Sequence, residues 1–240
     1  MSDPVVPGPV VSVAGLDIRL VDGPLPFAEQ RAAAIAERWR RTVAAKPALY
    51  DGPILLFSGI AVDGDRLVAH GHRARFSALM ALVEDGGAGS PGANLFGAAA
   101  IVSSDGAVIL GRMGAHTAFP RVVKFVGGTP DESDVRPDGT IDIAGSIARE
   151  TAEETGLVAA EAAVDPRFLV VADGPFLAIV QVLRMPETAA ALIARIDAFN
   201  AAEAEPELAG AVAVRPCDRL DGVDMPGYTR AIVADLLTRL

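Results

Sequence analysis

The sequence predicts a mixed α/β fold, a mixed sheet with helices on its faces, preceded by a smaller α/β unit. Three observations predict it. Strand-period and helix-period runs follow one another irregularly along the 240 residues, not in the strict alternation of a doubly wound parallel sheet. Two strand pairs close over short turn signals, "SDG" at 104–106 and "DGP" at 173–175. The stretch 84–94, "EDGGAGSPGAN", interrupts the pattern on both sides with Gly, Ser and Pro. It divides the chain into an accessory N-terminal α/β domain over 1–90 and a larger domain over 94–240.

In the first part, "LDIRLV" reads as a strand. "PFAEQRAAAIAERWRRTVAA" reads as one amphipathic helix with Phe27, Ile35, Trp39 and Val43 on its apolar stripe and Trp39 in the core. "GPILLFSGIAV" and "RLVAHGHRARF" are strands around the turn "DGD", and "FSALMALVE" is a short helix. In the second part, "NLFGAAAIVS" and "AVILGR" form a hairpin, and "RVVKFV" is a third strand ended by Gly127 and Gly128. The loop "TPDESDVRPDGTID" leads to a helix containing "ARETAEETGL". "RFLVVA" and "FLAIVQVLR" form a second hairpin. "ETAAALIARIDAFNAA" is a helix, "AVAVRP" a short strand and "YTRAIVADLLTRL" a closing helix with Ile232, Val233, Leu236, Leu237 and Leu240 on one face.

Twenty-one basic against 31 acidic residues give a net charge of −10, which repels phosphate backbones and argues against bulk nucleic acid as a partner. The lone Cys217 allows no intrachain disulfide, the start lacks a basic signal-peptide region, and no uncharged apolar run reaches a bilayer's span. These features predict a cytoplasmic chain with no membrane partner. A homodimer is compatible with the sequence, though no feature specifies one.

The helix at 148–157 carries the chemistry. At 100° per residue, Glu150, Glu153 and Glu154 fall within an arc of about 100°, opposite a side of small residues, Ala144, Ala148, Thr151, Ala152 and Thr155. Asp142 is placed to cap the N-terminus and Gly156 to end the helix in the left-handed conformation. A three-acid helix face is ordinarily just solvated. Here Glu150 and Glu154 are like charges at i,i+4, no basic residue lies three or four positions from either, and both sit at the end where the macrodipole disfavours them. Clustered carboxylates of this kind suit a hard cation, Mg²⁺ or Mn²⁺, which in turn binds diphosphates.

"RETAEETGL" resembles the end of the Nudix box of the Nudix hydrolase superfamily, with Arg149, Glu150, Glu153, Glu154, Gly156 and Leu157 matching and Thr151 in place of an aliphatic residue. "KFVGGTP" is similar to the strand and glycine pair that open the box, and "FGAAAIVSSDGAVILGR" to the family's first hairpin. The segment from Gly128 to Arg149 is about seven residues longer than usual, and Ile141 stands where the box has its first Glu. That Glu ordinarily helps to hold the loop and helix together.

The resemblance implies a Nudix-like α/β/α sandwich over residues 94–240. It implies a metal-dependent pyrophosphohydrolase that cleaves a nucleoside diphosphate linked to another moiety, such as a nucleotide sugar, dinucleotide or coenzyme derivative. Glu150, Glu153 and Glu154 would hold Mg²⁺ (or Mn²⁺), Glu150 would also serve as base, and Arg149 would hold a glutamate in place. A further carboxylate from the late loop "AEAEPELAG" would be Glu205 or Glu207, and Arg112 and Lys124 would meet phosphates from neighbouring strands. His70 and His72 share a strand face but lack a third metal ligand, and Arg73 and Arg75 beside them would reach a substrate phosphate if the first domain folds over the cleft. Two other readings share this fold. A diphosphate isomerase needs an extra acid/base such as a positioned Cys or Tyr, and the sequence places neither well. A non-catalytic ligand-binding regulator goes with eroded glutamates or a basic DNA-binding module, and this chain has neither.

Overall fold

The computed structural model describes residues 8–47, 49–85, 92–117 and 120–239. The chain begins with β1 (Val11–Val13) and β2 (Gly15–Leu20), then α1 (Pro26–Gln30) and α2 (Ala32–Ala45). The hairpin β3 (Pro53–Asp63) and β4 (Arg66–Arg75) leads into α3 (Phe76–Glu84). The second part runs β5 (Asn94–Val102), β6 (Val108–Met113), β7 (Val123–Lys124), β8 (Val126–Gly128) and α4 (Ile143–Thr155). It finishes with β9 (Ala163–Asp173), β10 (Phe176–Arg184), α5 (Ala189–Ala202), β11 (Leu208–Val214) and α6 (Gly227–Leu237).

The large sheet is mixed, in the order β1-β9-β10-β5-β6-β11, with β5 and β10 parallel and their other partners antiparallel. Alternation along β5 explains the sandwich. Leu95, Ala99 and Ile101 pack in one core with Ile143 and Ile147 of α4 and Leu192 and Ile196 of α5. Phe96, Ala98, Ala100 and Val102 pack in another with Tyr228, Ile232, Val233 and Leu236 of α6. Helices therefore cover both faces, the α/β/α arrangement expected. Among the described residues no helix is long and apolar enough to cross a membrane.

Several elements differ from the sequence reading. The single helix over 26–45 breaks at Arg31, whose backbone leaves the helical region (φ −110°, ψ 15°). Arg31 instead pairs with Asp85 at the end of α3 and lies 5.6 Å over the Phe27 ring. Trp39 is half-buried, edge-on to Phe76, and does not enter the core. The strand "RVVKFV" is two short strands: β7 pairs with β6, whereas β8 pairs with β5. Paired residues join β5 directly to β6 only near their turn, at Ile101↔Ile109 and Val102↔Val108. Beyond that point β7 and β8 bridge the two strands, pivoting at buried Phe125. Gly127 (φ 144°) is required at the crossing, since a Cβ there would fall 2.2 Å from the Gly97 carbonyl oxygen.

β1 has no counterpart in the sequence reading, and it belongs to the large sheet, with Val11, Ser12 and Val13 opposite Val170, Leu169 and Phe168 of β9. β2, β4 and β3 form a separate three-stranded sheet. One of its faces, with Ile18, Leu55, Phe57 and Leu67, packs in the same core as Leu95 and Ile147. The other carries Leu56 against Leu25, Phe27, Ile35 and Leu82 of the N-terminal helices. The boundary stretch 84–94 falls between the two sheets, and its residues 86–91 lie outside the described residues.

Candidate active site

The site is built where the splayed strands meet α4. Asp142 caps this helix, accepting from Gly145 N at 3.0 Å, and Gly156 ends it at φ 68°, as the sequence implied. The buried face is rotated from the small-residue side read in the sequence. It consists of Ile143, Ser146, Ile147, Thr151, Thr155 and also Glu154, while Ala144 is exposed. Ile147 fills the space that a side chain at Gly97 would need.

That rotation separates the three glutamates. Glu154 is only 5% exposed. Its Oε1 accepts from Gly127 N at 3.3 Å, and its Oε2 is buried with no hydrogen-bond partner. Burial pushes its carboxyl up to about 8, against the pull of Lys124 and with added repulsion from Glu207 and Glu150. Glu150, with a side chain 17% exposed, lies against Gly128, where a Cβ would meet its carboxyl carbon at 2.7 Å. Burial raises its carboxyl too; Arg149 opposes the shift, and Glu153 and Glu207 add to it. Glu153 stands apart, its side chain 59% exposed in an ion pair with Arg149 at 3.1 Å.

The lengthened loop supplies the anchor that the sequence lacks at Ile141. Asp134, buried in a short 3-10 turn over Glu132–Asp134, accepts from Asp131 N at 3.0 Å and Ser146 Oγ at 3.2 Å. It also accepts two hydrogen bonds from Arg149 Nη2, both at 3.2 Å. Arg149 Nη1 in turn reaches Glu150 Oε1 at 2.7 Å. Burial opposes the charge on this arginine, but Glu150, Asp134 and Glu153 outweigh it and hold the guanidinium firmly protonated. Asp134 thus ties loop, helix and Glu150 together. The signal for it in the sequence was the acidic run of the loop, which does not say which acid turns inward.

Ile141, 3% exposed, does a different job. Its N–H donates to Ile18 O at 2.8 Å, Leu20 N donates to Gly139 O at 2.9 Å, and its side chain occupies the space above Gly71. The extra residues therefore dock on the edge of β2. Arg73 pairs with Glu132 and Leu55 N donates to Pro130 O, fixing the loop from the β3–β4 side.

Lys124 and Glu207 line a cleft of about 210 Å³ together with Gly127 and Gly128. Lys124 Nζ donates to Gly127 O at 3.4 Å. Glu205 is exposed and outside the cleft wall. Arg112 is exposed in a different groove, beside Asp197 and Asn200. His72 bonds Ser58 Oγ at 2.8 Å and Gly23 O at 3.2 Å, so its ring is engaged structurally, and His70 is exposed beside it. Arg75 pairs with Asp51 at 3.6 Å, and neither Arg73 nor Arg75 lines this cleft. Tyr228 lines it, and burial raises its hydroxyl well above the usual range.

Among the described residues no three His, Cys, Asp or Glu side chains already converge as a finished metal cage. The donor chemistry nevertheless fits a hard divalent ion. An orphaned carboxylate oxygen on Glu154, with Glu150 and Glu207 close enough to raise its proton affinity, is a concentration of negative charge that a cation relieves.

No protein-family model and no curated protein matches the chain. Among solved structures it is similar to DR0079 from Deinococcus radiodurans, at 19% identity over 60% of this chain and 81% of that one, with a TM-score of 0.38. It is also similar to a NUDIX family hydrolase from Clostridium perfringens, at 12% identity over 61% of this chain and 97% of that one, TM-score 0.38. A third likeness is to a bifunctional NMN adenylyltransferase/ADP ribose pyrophosphatase from Francisella tularensis, solved with AMP and a Mn ion. There the identity is 16% over 61% of this chain and 42% of that one, again at a TM-score of 0.38.

Proposed function

We propose that the protein is a divalent-metal-dependent pyrophosphohydrolase that cleaves a nucleoside diphosphate linked to another moiety. The observation that carries this reading is the buried, half-unpartnered carboxylate of Glu154 beside Glu150, packed against Gly127 and Gly128, which line a cleft together with Lys124. Leaving such an oxygen unsatisfied costs on the order of 1–3 kcal/mol or more, and a bound cation removes that cost.

Glu154 and Glu150 would hold the ion, with Glu207 contributing from the cleft lining. The ion would neutralise the diphosphate oxygens and lower the pKa of attacking water. Lys124 offers a fixed positive charge to a phosphate oxygen. Water adds to one phosphorus, the bridging P–O bond breaks, and two phosphomonoesters leave. Glu150, with its proton affinity raised by burial, accepts the proton from that water. Arg149 is a positioning residue: gripped by Asp134, it fixes the Glu150 carboxylate.

Incubation with Mg²⁺ and a panel of nucleoside diphosphate compounds, with products read by mass spectrometry, tests the reading. We expect paired monophosphate products that disappear with EDTA and fall by at least about a hundredfold in Glu154→Gln, a loss in line with removing one preorganised charge-stabilising group. Absence of turnover across the panel, with nucleotide binding retained, would move the assignment to a non-catalytic binding role.

A further inference from the structure

The cleft beside the glutamates gathers a large share of the chain's few aromatic rings. The protein has nine phenylalanines, two tyrosines and one tryptophan, and Phe76, Phe96, Phe176 and Tyr228 all line this one cleft. Three of the rings form a connected wall. Phe96 meets Tyr228 at 5.0 Å and 66°, and Phe176 stands 6.4 Å from each of them. The fourth, Phe76, comes from the N-terminal part of the chain, at the first position of α3, with Leu79 one turn further along. Trp39 braces it edge-on at 6.1 Å.

These rings are not simply core. Phe96 and Tyr228 are buried, but Phe76 and Phe176 are only half-buried, and both line the cleft. The polar part of the wall is specific. Asn94, 5% exposed, has its carboxamide oriented by Thr129 Oγ1, which donates to Asn94 Oδ1 at 3.1 Å, and both residues line the cleft. A volume of about 210 Å³ is below the roughly 300–1,000 Å³ of sites that enclose a whole drug-sized ligand, so the cleft suits one moiety of a larger molecule.

Resting on the pyrophosphohydrolase reading, we infer that this cleft selects the nucleobase half of the substrate. An aromatic heterocycle is held between Phe76 and the Phe96–Phe176–Tyr228 wall, its polar edge facing Asn94 and Thr129. Its phosphates extend toward Lys124 and the glutamates. A sugar has no π-face to stack, whereas every base has one. The N-terminal part of the chain is then a component of the specificity site, through Phe76 and Leu79.

The test is calorimetric titration of the full chain, in EDTA so that no turnover intervenes, with AMP, UMP and ribose 5-phosphate. All three carry the same phosphate. We expect both nucleotides to bind at least about tenfold more tightly than ribose 5-phosphate, the size of effect that stacking on one aromatic ring gives. Phe76→Ala should remove about tenfold of nucleotide affinity and leave that of ribose 5-phosphate unchanged. Phe76→Leu, which keeps apolar bulk and so protects the fold, should lose most of the same increment. Equal affinity for nucleotides and ribose 5-phosphate overturns the inference, as does wild-type nucleotide binding in both Phe76 variants. Glu154→Gln separates this site from the reaction. Nucleotide binding that survives in it while hydrolysis is lost supports both readings. Tight, Phe76-dependent binding by a wild-type protein without hydrolysis retires the reaction and leaves the base site standing.

Discussion

Among single residues, Glu154 decides the chemistry. The sequence shows three glutamates on one arc of a helix, and helical geometry alone makes them equivalent. Packing does not, because Ile147 and Thr151 seat α4 on β5 and β8 in a way that buries Glu154, half-buries Glu150 and leaves Glu153 in solvent. A sequence without neighbours cannot reveal that rotation. Glu153→Gln should therefore reduce turnover far less than Glu154→Gln, with parallel kcat measurements at saturating Mg²⁺ as the check. Glu154 also sets a pH dependence. In the metal-free protein its carboxyl stays protonated up to about 8, against 4.5 when unperturbed. Between those two values the folded state binds a proton that the unfolded chain has released, so stability falls as pH rises through the window. Thermal melts in EDTA should give a lower Tm at pH 8.5 than at pH 5.5. Added Mg²⁺ should raise Tm more at the higher pH, because the ion binds the ionised form. A metal-free Tm that climbs across this window would contradict the burial assigned to Glu154.

At the scale of elements, the lengthened loop and the helix it feeds form one device. That Ile141 stands where the resembled motif has a Glu is visible in the sequence. What replaces its function is not, since Asp131, Glu132, Asp134 and Asp138 are equally acidic on paper. Only the 3-10 turn turns Asp134 inward, onto Ser146 and Arg149. Asp134→Ala leaves that arginine without its buried partner and frees the loop. We expect a loss of about 2–4 kcal/mol in chemical denaturation and, in folded protein, a fall in kcat, because Glu150 is no longer held. At the other end of the helix, Gly156 was legible from sequence as a left-handed stop. A side chain there is doubly opposed, by φ 68° and by Phe199 at 2.6 Å from the added Cβ. Gly156→Ala should cost about 2 kcal/mol or more, measured by urea unfolding.

Across the whole molecule, the irregular succession of strand and helix runs predicted helices on the faces of a mixed sheet, and the turn signals placed three hairpins correctly. The connection between the two parts was not legible. β1 is too short to show a strand period, yet it joins the large sheet, and the β2–β4–β3 sheet shares its core with Leu95 and Ile147. The docked loop adds backbone hydrogen bonds to β2, and Arg167 pairs with Asp65 across the parts at 2.5 Å. An N-terminal part so joined should not melt separately, and calorimetry should show one cooperative transition for the full chain; two resolved transitions would mean the shared core contributes little. Cation binding on the buried side of α4 is read by titrating Mn²⁺ into metal-free protein at pH 8 and following bound ion by electron paramagnetic resonance. We expect saturable binding in the wild type, retained in Glu153→Gln and weakened at least about tenfold in Glu154→Gln. Equal binding by wild type and Glu154→Gln would contradict that placement of the ion.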